Sequence, residues 1–314
     1  MLISNISPMF QMGLLVLGVL VLASVAVAAL QRARPKKDFS ELSARVRAWW
    51  IMAAVFFAAI VVSNRLSLVF FALMSFWAMK EYVTLLKTRP ADHRALVLTF
   101  LAIPIQYLWI GLNPPWYGMF IIFIPVYMML ALPARMVLSK ETKGFVESAS
   151  QIHWGLMIFV FGLSHMAYLL TSPTVGDSAA NGRTLVLFLV FVVEMSDVLQ
   201  YIWGKTLGRH KIIPTISPNK TWEGFIGGIA SAMLLSLAIR FLTPFSIRET
   251  LLVSFLITVA GFCGGAVMSA VKRDFGVKDF GSFIPGHGGM LDRVDSLCYA
   301  APVFFHYVRY FYIK

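Results

Sequence analysis

The sequence predicts an all-α fold: a polytopic transmembrane helical bundle of about ten spanning helices. Three observations carry this. Of 314 residues, 59% are hydrophobic and only 13% charged, and the mean hydropathy is +0.76, outside the range of soluble domains. The apolar runs are long and continuous instead of alternating in tens, so they suit helices and not barrel strands. The charges gather between the runs. A net charge of +12 would suggest nucleic acid in a soluble chain. Here most of the Lys and Arg fall in alternate loops, which by the positive-inside rule face the cytoplasm and anionic lipid, so nucleic acid is not an expected partner. Cys263 and Cys298 both sit in apolar runs without a CxxC spacing, so neither a disulfide nor a zinc site is indicated.

The first run, 8–30, has nothing basic before it and is too long for the apolar core of a leader, so a spanning helix is expected. The basic stop after it, Arg32, Arg34, Lys36 and Lys37, sets the N-terminus outside. Runs 49–62 and 66–79 are short and need flanking residues, 44–48 and 81–86, to cross. Runs 95–112 and 116–132 are joined by Asn113-Pro114-Pro115 and predict a helical hairpin. The polar stretch 135–150 is expected to lie along the membrane surface as an amphipathic segment. A sixth span covers 151–170. Its His153 and His165 stand more than three turns apart and are read as structural. The loop 171–183, rich in Ser, Gly and Asn, suits the exterior.

The seventh span, 184–203, begins all apolar and then carries Glu194 and Asp197 three residues apart, on one face. Carboxylates inside a span are functional by default, and Asp197 is read as a site residue, Glu194 as the partner of an Arg or Lys. A basic loop follows, then Ser217-Pro218-Asn219-Lys220-Thr221-Trp222-Glu223-Gly224. Thr221 can cap the next helix, Glu223 suits its first turn, and Ser217 with Lys220 offers donors to a phosphate. Spans eight (224–242) and nine (250–271) carry Gly227-Gly228 and Gly261, Gly264, Gly265, small-residue faces expected to bring these two helices together. The tenth begins near Met290 and ends in an aromatic and basic belt. Residues 1–183 thus form an N-terminal set of transmembrane helices, and 184–314 a region that concentrates the polar loops.

Between spans nine and ten the chain reads SAVKRDFGVKDFGSFIPGHGGMLDRVD (269–295), a charge cluster of both signs beside a membrane. Asp292 and Asp295 share one helical face, which suits a divalent cation. Gly286, Gly288 and Gly289 let backbone approach a ligand, and the N–H groups at the start of the tenth helix favour an anion there. Carboxylates, lysines and open backbone together point to a phosphate held through Mg²⁺.

The run Ser269, Lys272-Arg273, Lys278-Asp279, Gly281, Pro285, His287-Gly288-Gly289, Asp292-Arg293, Asp295 resembles the signature of the phosphatidate cytidylyltransferases, and the octapeptide 217–224 resembles a second element of that family. The resemblance covers about 190–310. It implies a reaction of CTP with phosphatidic acid, giving CDP-diacylglycerol and pyrophosphate, in an integral protein of the bacterial inner membrane whose active site faces the cytoplasm. It implies one or two cations, Mg²⁺ first, held by Asp279, Asp292 and Asp295 with Asp197. Lys220, Lys272, Arg273, Lys278 and Arg293 are expected to contact phosphates, Ser217, Thr221, Ser269, Gly288 and Gly289 to line the substrate site, and His287 to shape the loop or bond a phosphate. A homodimer is a further expectation. The chain departs from the family on the seventh helix, where relatives carry an Asp, a small residue and Ala-Tyr, then Gly-Arg; here stand Asp197-Val198-Leu199-Gln200-Tyr201 and Gly204-Lys205. Lysine cannot make arginine's two-pronged phosphate contact. Two alternatives therefore stay open: a paralogue acting on another lipid phosphate, and a non-catalytic membrane protein that binds lipid or nucleotide.

Overall fold

A computed structural model describes residues 7–35, 38–172, 180–284 and 288–313. Lys36 and Lys37 of the basic stop, most of the 171–183 loop, and Pro285, Gly286 and His287 of the motif lie outside them. The described residues form ten helices: α1 Pro8–Ala33, α2 Ser40–Val62, α3 Asn64–Leu85, α4 His93–Gly111, α5 Tyr117–Val137, α6 Phe145–Leu170, α7 Gly182–Thr206, α8 Trp222–Ala238, α9 Ile247–Asp274 and α10 Leu291–Tyr312. Eight are long and apolar enough to span a bilayer. The other two are α8, with 17 residues, and α10, with 22, whose first turns carry Asp292, Arg293 and Asp295. The protein is an all-α membrane bundle with fewer self-sufficient spans than helices.

Local chemistry sets the ends. Ser7 caps α1 ahead of Pro8, Ser63 caps α3, and Asn181 and Ser246 build capping boxes on α7 and α9. α5 and α6 each contain a π-helical stretch, Phe123–Met128 and Leu156–Gly162. In α6 the stretch lies where Gly162 meets the Cys298 carbonyl of α10, so closely that a β-carbon there would sit 2.7 Å from that oxygen. Three helices, α3, α6 and α10, meet along this line around a core that includes Phe71, Met79, Phe159 and Phe304.

Three expectations are corrected. The stretch 135–150 is not a separate surface segment: α5 runs to Val137 and α6 already begins at Phe145. The turn between is held by the Arg89 guanidinium, which donates to the carbonyls of Lys143 (2.7 Å) and Glu141 (3.3 Å), and Gly144 enters α6 at φ +66°. The eighth helix stops at Ala238, and a 3₁₀ turn, Arg240–Leu242, completes the run. The glycines of α8 face α7, not α9: Gly227 abuts the Trp203 ring, and Gly228 lies on the Gln200 backbone. Those of α9 face α7 and α10, with Gly264 against Asp295 and Tyr299. α8 and α9 do pack side by side, as expected, but through larger side chains such as Phe225 and Phe262, whose ring centres are 4.5 Å apart.

Ahead of α8 the basic loop folds into an antiparallel hairpin of β1, Lys211–Ile213, and β2, Ser217–Thr221. Pro218 within so short a strand hides it from periodicity, and no strand is expected there. Glu223 anchors the hairpin by accepting from the Arg209 and His210 N–H groups, at 3.0 and 3.2 Å, and from His210 Nδ1 at 2.6 Å.

Candidate active site

A cavity of about 900 Å³ opens where α7, β2, α9, residues 278–284, Gly288 and the first turns of α10 converge. α2 adds a wall with Glu41, Arg45 and Trp49. Its floor is acidic. Asp197 of α7 and Asp295 of α10 are linked through Ser296, whose hydroxyl donates to Asp197 Oδ2 at 2.8 Å and whose N–H donates to Asp295 Oδ1 at 2.7 Å. Glu194 lines the same wall one turn before Asp197. It makes no ion pair among the described residues, so the expected pairing with Arg or Lys is replaced by a place in the cavity.

Two cations face these acids. Lys220 reaches in from the end of β2, its amine 4.2 Å from the centre of the Phe262 ring. Burial holds that amine below the usual lysine range, against the pull of Asp197 and Asp295. Arg293 lines the cavity from α10, and its buried Nε has no hydrogen-bond partner among the described residues. An unsatisfied buried guanidinium N–H is costly unless a ligand takes it, and a phosphate oxygen is its natural acceptor.

The remaining motif residues divide. Lys278 and Asp279 are exposed at the rim, and Ser269 and Gly288 line the wall, with the Ser269 hydroxyl donating to the Gly265 carbonyl at 2.7 Å. Thr221 lines it too, but its hydroxyl caps α8 by accepting from Gly224 N–H. Lys272, Arg273 and Ser217 stand behind the cavity, and Asp292 lines its wall. Lys272 donates to Asp292 Oδ1 at 2.8 Å, while Asp292 Oδ2 accepts from the N–H groups of Phe280 (2.9 Å) and Gly289 (3.0 Å). Arg273 ties the loops by donating to the carbonyls of Ile216 and Val277. Ser217 is paired with Ile213 in the hairpin.

The N–H groups at the start of α10 are not open to a phosphate, as the glycines suggested. Gly289 N–H is held by Asp292, and those of Met290 and Leu291 by Glu81 of α3. Glu81 was legible only as a residue flanking the third apolar run, beside Lys80, and Ser296 not at all, since a serine beside an aspartate carries no signal of its own.

The donor set fits a hard cation. Asp197, Asp295 and Glu194 supply carboxylate oxygen, and among the described residues no three His, Cys, Asp or Glu side chains close into a ready-made cage. Mg²⁺ commonly takes one or two carboxylates and completes its octahedron with water and substrate phosphates.

Comparisons with known proteins place the chain in a family. The model of the cytidylyltransferase family matches residues 43–311, far more than the 190–310 in which the motifs were legible. Uncharacterized protein YnbB of Escherichia coli (strain K12) is 44% identical over 292 residues, 93% of this chain and 95% of that protein. Phosphatidate cytidylyltransferases of Staphylococcus haemolyticus (strain JCSC1435) and Staphylococcus aureus (strain COL) are 31% and 30% identical over 260 residues, 81% of this chain and 94% of theirs. With acids, cations and an open cavity assembled by its most polar segments, and a family match along most of its length, the chain belongs to the cytidylyltransferase family.

Proposed function

We propose that the protein transfers the cytidylyl group of CTP to phosphatidic acid, releasing pyrophosphate and leaving CDP-diacylglycerol in the membrane. An oxygen of the lipid phosphate attacks the α-phosphorus of CTP, and the bond from that phosphorus to the bridging oxygen of the β-phosphate breaks. No proton need be removed, because a phosphate monoester is already anionic at neutral pH. The task is to bring two anions together and stabilise the leaving group. Mg²⁺, when bound, would neutralise phosphate charge and orient the triphosphate. Asp197 and Asp295 are the carboxylates that would hold it, with Asp279 at the rim. Lys220 and the free Nε of Arg293 would take phosphate oxygens, while Lys278 meets the substrate at the mouth. Asp292 and Lys272 keep the 275–289 loop in register. The reaction side is assigned to the cytoplasmic face of the inner membrane, where CTP is available.

The observation that carries this reading is the Asp197–Ser296–Asp295 bridge facing Lys220 and the unpartnered Arg293 Nε in one cavity. Gln200 in the cavity wall favours a second reading, a different lipid phosphate as acceptor, since it adds a polar amide where the family resemblance implies a small side chain. Purified protein in lipid nanodiscs, given labelled CTP, Mg²⁺ and phosphatidic acid, should incorporate label into lipid, and Asp295→Asn should reduce the rate on the order of 100-fold. Native protein that binds CTP but labels only another lipid phosphate would favour the second reading. Native protein that labels no lipid phosphate would overturn both.

A further inference from the structure

Glu81 sits far from the motif in sequence and at its base in space. Its carboxylate is buried, belongs to none of the ion pairs among the described residues, and has both oxygens engaged across the bundle. Oε1 accepts from Met290 N–H at 2.9 Å and Oε2 from Leu291 N–H at 2.8 Å, 209 and 210 residues along the chain. α10 has no side-chain cap of its own, so this acid from α3 supplies it.

The loop is shaped to receive it. A β-carbon at Gly289 would overlap Glu81 Oε2, and one at Gly281 would stand 2.9 Å from Oε1. Glycine at both positions lets backbone close around the carboxylate. One turn earlier on α3, Trp77 stacks on Phe283 of the same loop, with ring centres 5.0 Å apart and planes inclined by 24°. α3 therefore grips this part of the chain by a ring at Phe283 and by a carboxylate at Met290 and Leu291, directly before Asp292, Arg293 and Asp295, which line the cavity.

We propose that Glu81 is a positioning residue for the nucleotide site: by clamping the first N–H groups of α10 it fixes where Asp295 and Arg293 stand relative to Asp197 and Lys220. The proposal rests on the reading of this cavity as a Mg²⁺–CTP site. Groups that orient ligands through hydrogen bonds commonly matter about 10–100-fold when removed.

The experiment measures binding separately from turnover. Mg²⁺-dependent CTP affinity of the full chain in nanodiscs is titrated calorimetrically for native protein, Glu81→Gln, Gly289→Ala and the double variant, with thermal midpoints recorded alongside. Glu81→Gln keeps the size but turns an amide group against the N–H donors. Gly289→Ala leaves Glu81 intact and fills its space. Each should weaken Mg²⁺-dependent binding about tenfold or more, and the double variant no further than the worse single, since both break one clamp. Folded single variants with native affinity, even if their midpoints fall, would overturn the proposal, as would fully additive losses. A native chain that binds Mg²⁺–CTP but transfers nothing to phosphatidic acid, with Glu81→Gln still impairing binding, leaves the clamp standing and removes only the lipid assignment. Failure of the native chain to bind CTP overturns both.

Discussion

Lys220 shows how much one side chain depends on the company it keeps. Its amine is held low by burial while two carboxylates draw it upward, so it loses its proton at a lower pH than a solvated lysine. If the charged amine holds a phosphate, transfer falls on the alkaline side as the amine discharges. A nearby divalent cation lowers the amine further and leaves the sign unchanged. The rate–pH profile of native protein should therefore decline at alkaline pH below the usual lysine range. In Lys220→Arg that decline should move to higher pH, because a guanidinium stays charged to about pH 12. An unmoved alkaline limb would remove Lys220 from the nucleotide's contacts. This residue was legible in the sequence because its neighbours, Thr221 and Glu223, announce a helix start. Asp292 was legible as an acid but not in its setting. Its three bonds, to Lys272, Phe280 and Gly289, depend on a loop whose path no spacing rule gives.

At the scale of elements, two contacts hold the frame. Asp92, fully buried before α4, accepts from Arg89 Nη2 at 2.6 Å and Nε at 2.9 Å and from the Ser148 hydroxyl at 2.6 Å. Arg89 in turn bonds the α5–α6 turn, so this knot joins three helix ends. Asp92→Ala leaves a largely buried guanidinium unpaired and should destabilise the protein by about 3–5 kcal/mol, read as a lower thermal midpoint in detergent. The second contact is the α7–α8 seam. At Gly228 a β-carbon would come within 2.7 Å of the Gln200 backbone, so Gly228→Ala must push the helices apart, at about 1–3 kcal/mol. Shortening the side chain with Gln200→Ala should not restore the midpoint, because the clash is with backbone as well. The helices were readable from apolar run length alone. Which faces meet was not, since a small-residue stripe states that something comes close without stating what. The hairpin was unreadable for another reason: strands of 3 and 5 residues are shorter than the periodicity that would reveal them.

For the whole molecule, the distribution of basic loops sets an orientation that can be checked directly. Arg209 lies exposed in the loop between α7 and β1, on the side where the cavity's polar segments gather. A cysteine placed there, with Cys263 replaced by serine and Cys298 buried, should react with a membrane-impermeant maleimide in inverted vesicles and not in intact cells. Labelling in intact cells would turn the proposed topology over and separate the site from its supply of CTP. The bundle class was legible because lipid permits so few solutions. The reach of the family resemblance was not: the N-terminal helices contribute single side chains such as Glu81, at the start of α10, and Arg45, in the cavity wall, and no run there reads as a motif.

The dependence of α10 on α3 also bears on how the molecule is made. α10 leaves the ribosome long after α3 and is among the least able to enter lipid by itself, with Asp292, Arg293 and Asp295 in its first two turns and no side-chain cap from Met290 at its N-cap. It needs a waiting berth. That berth is prepared long before, when α3 is synthesised with its single acid, so α10 docks as a latecomer into a receptor made of the chain's own earlier helices. A chain whose third helix is missing should insert its other apolar spans and still leave α10 open to protease, an assembly defect visible before any chemistry is assayed.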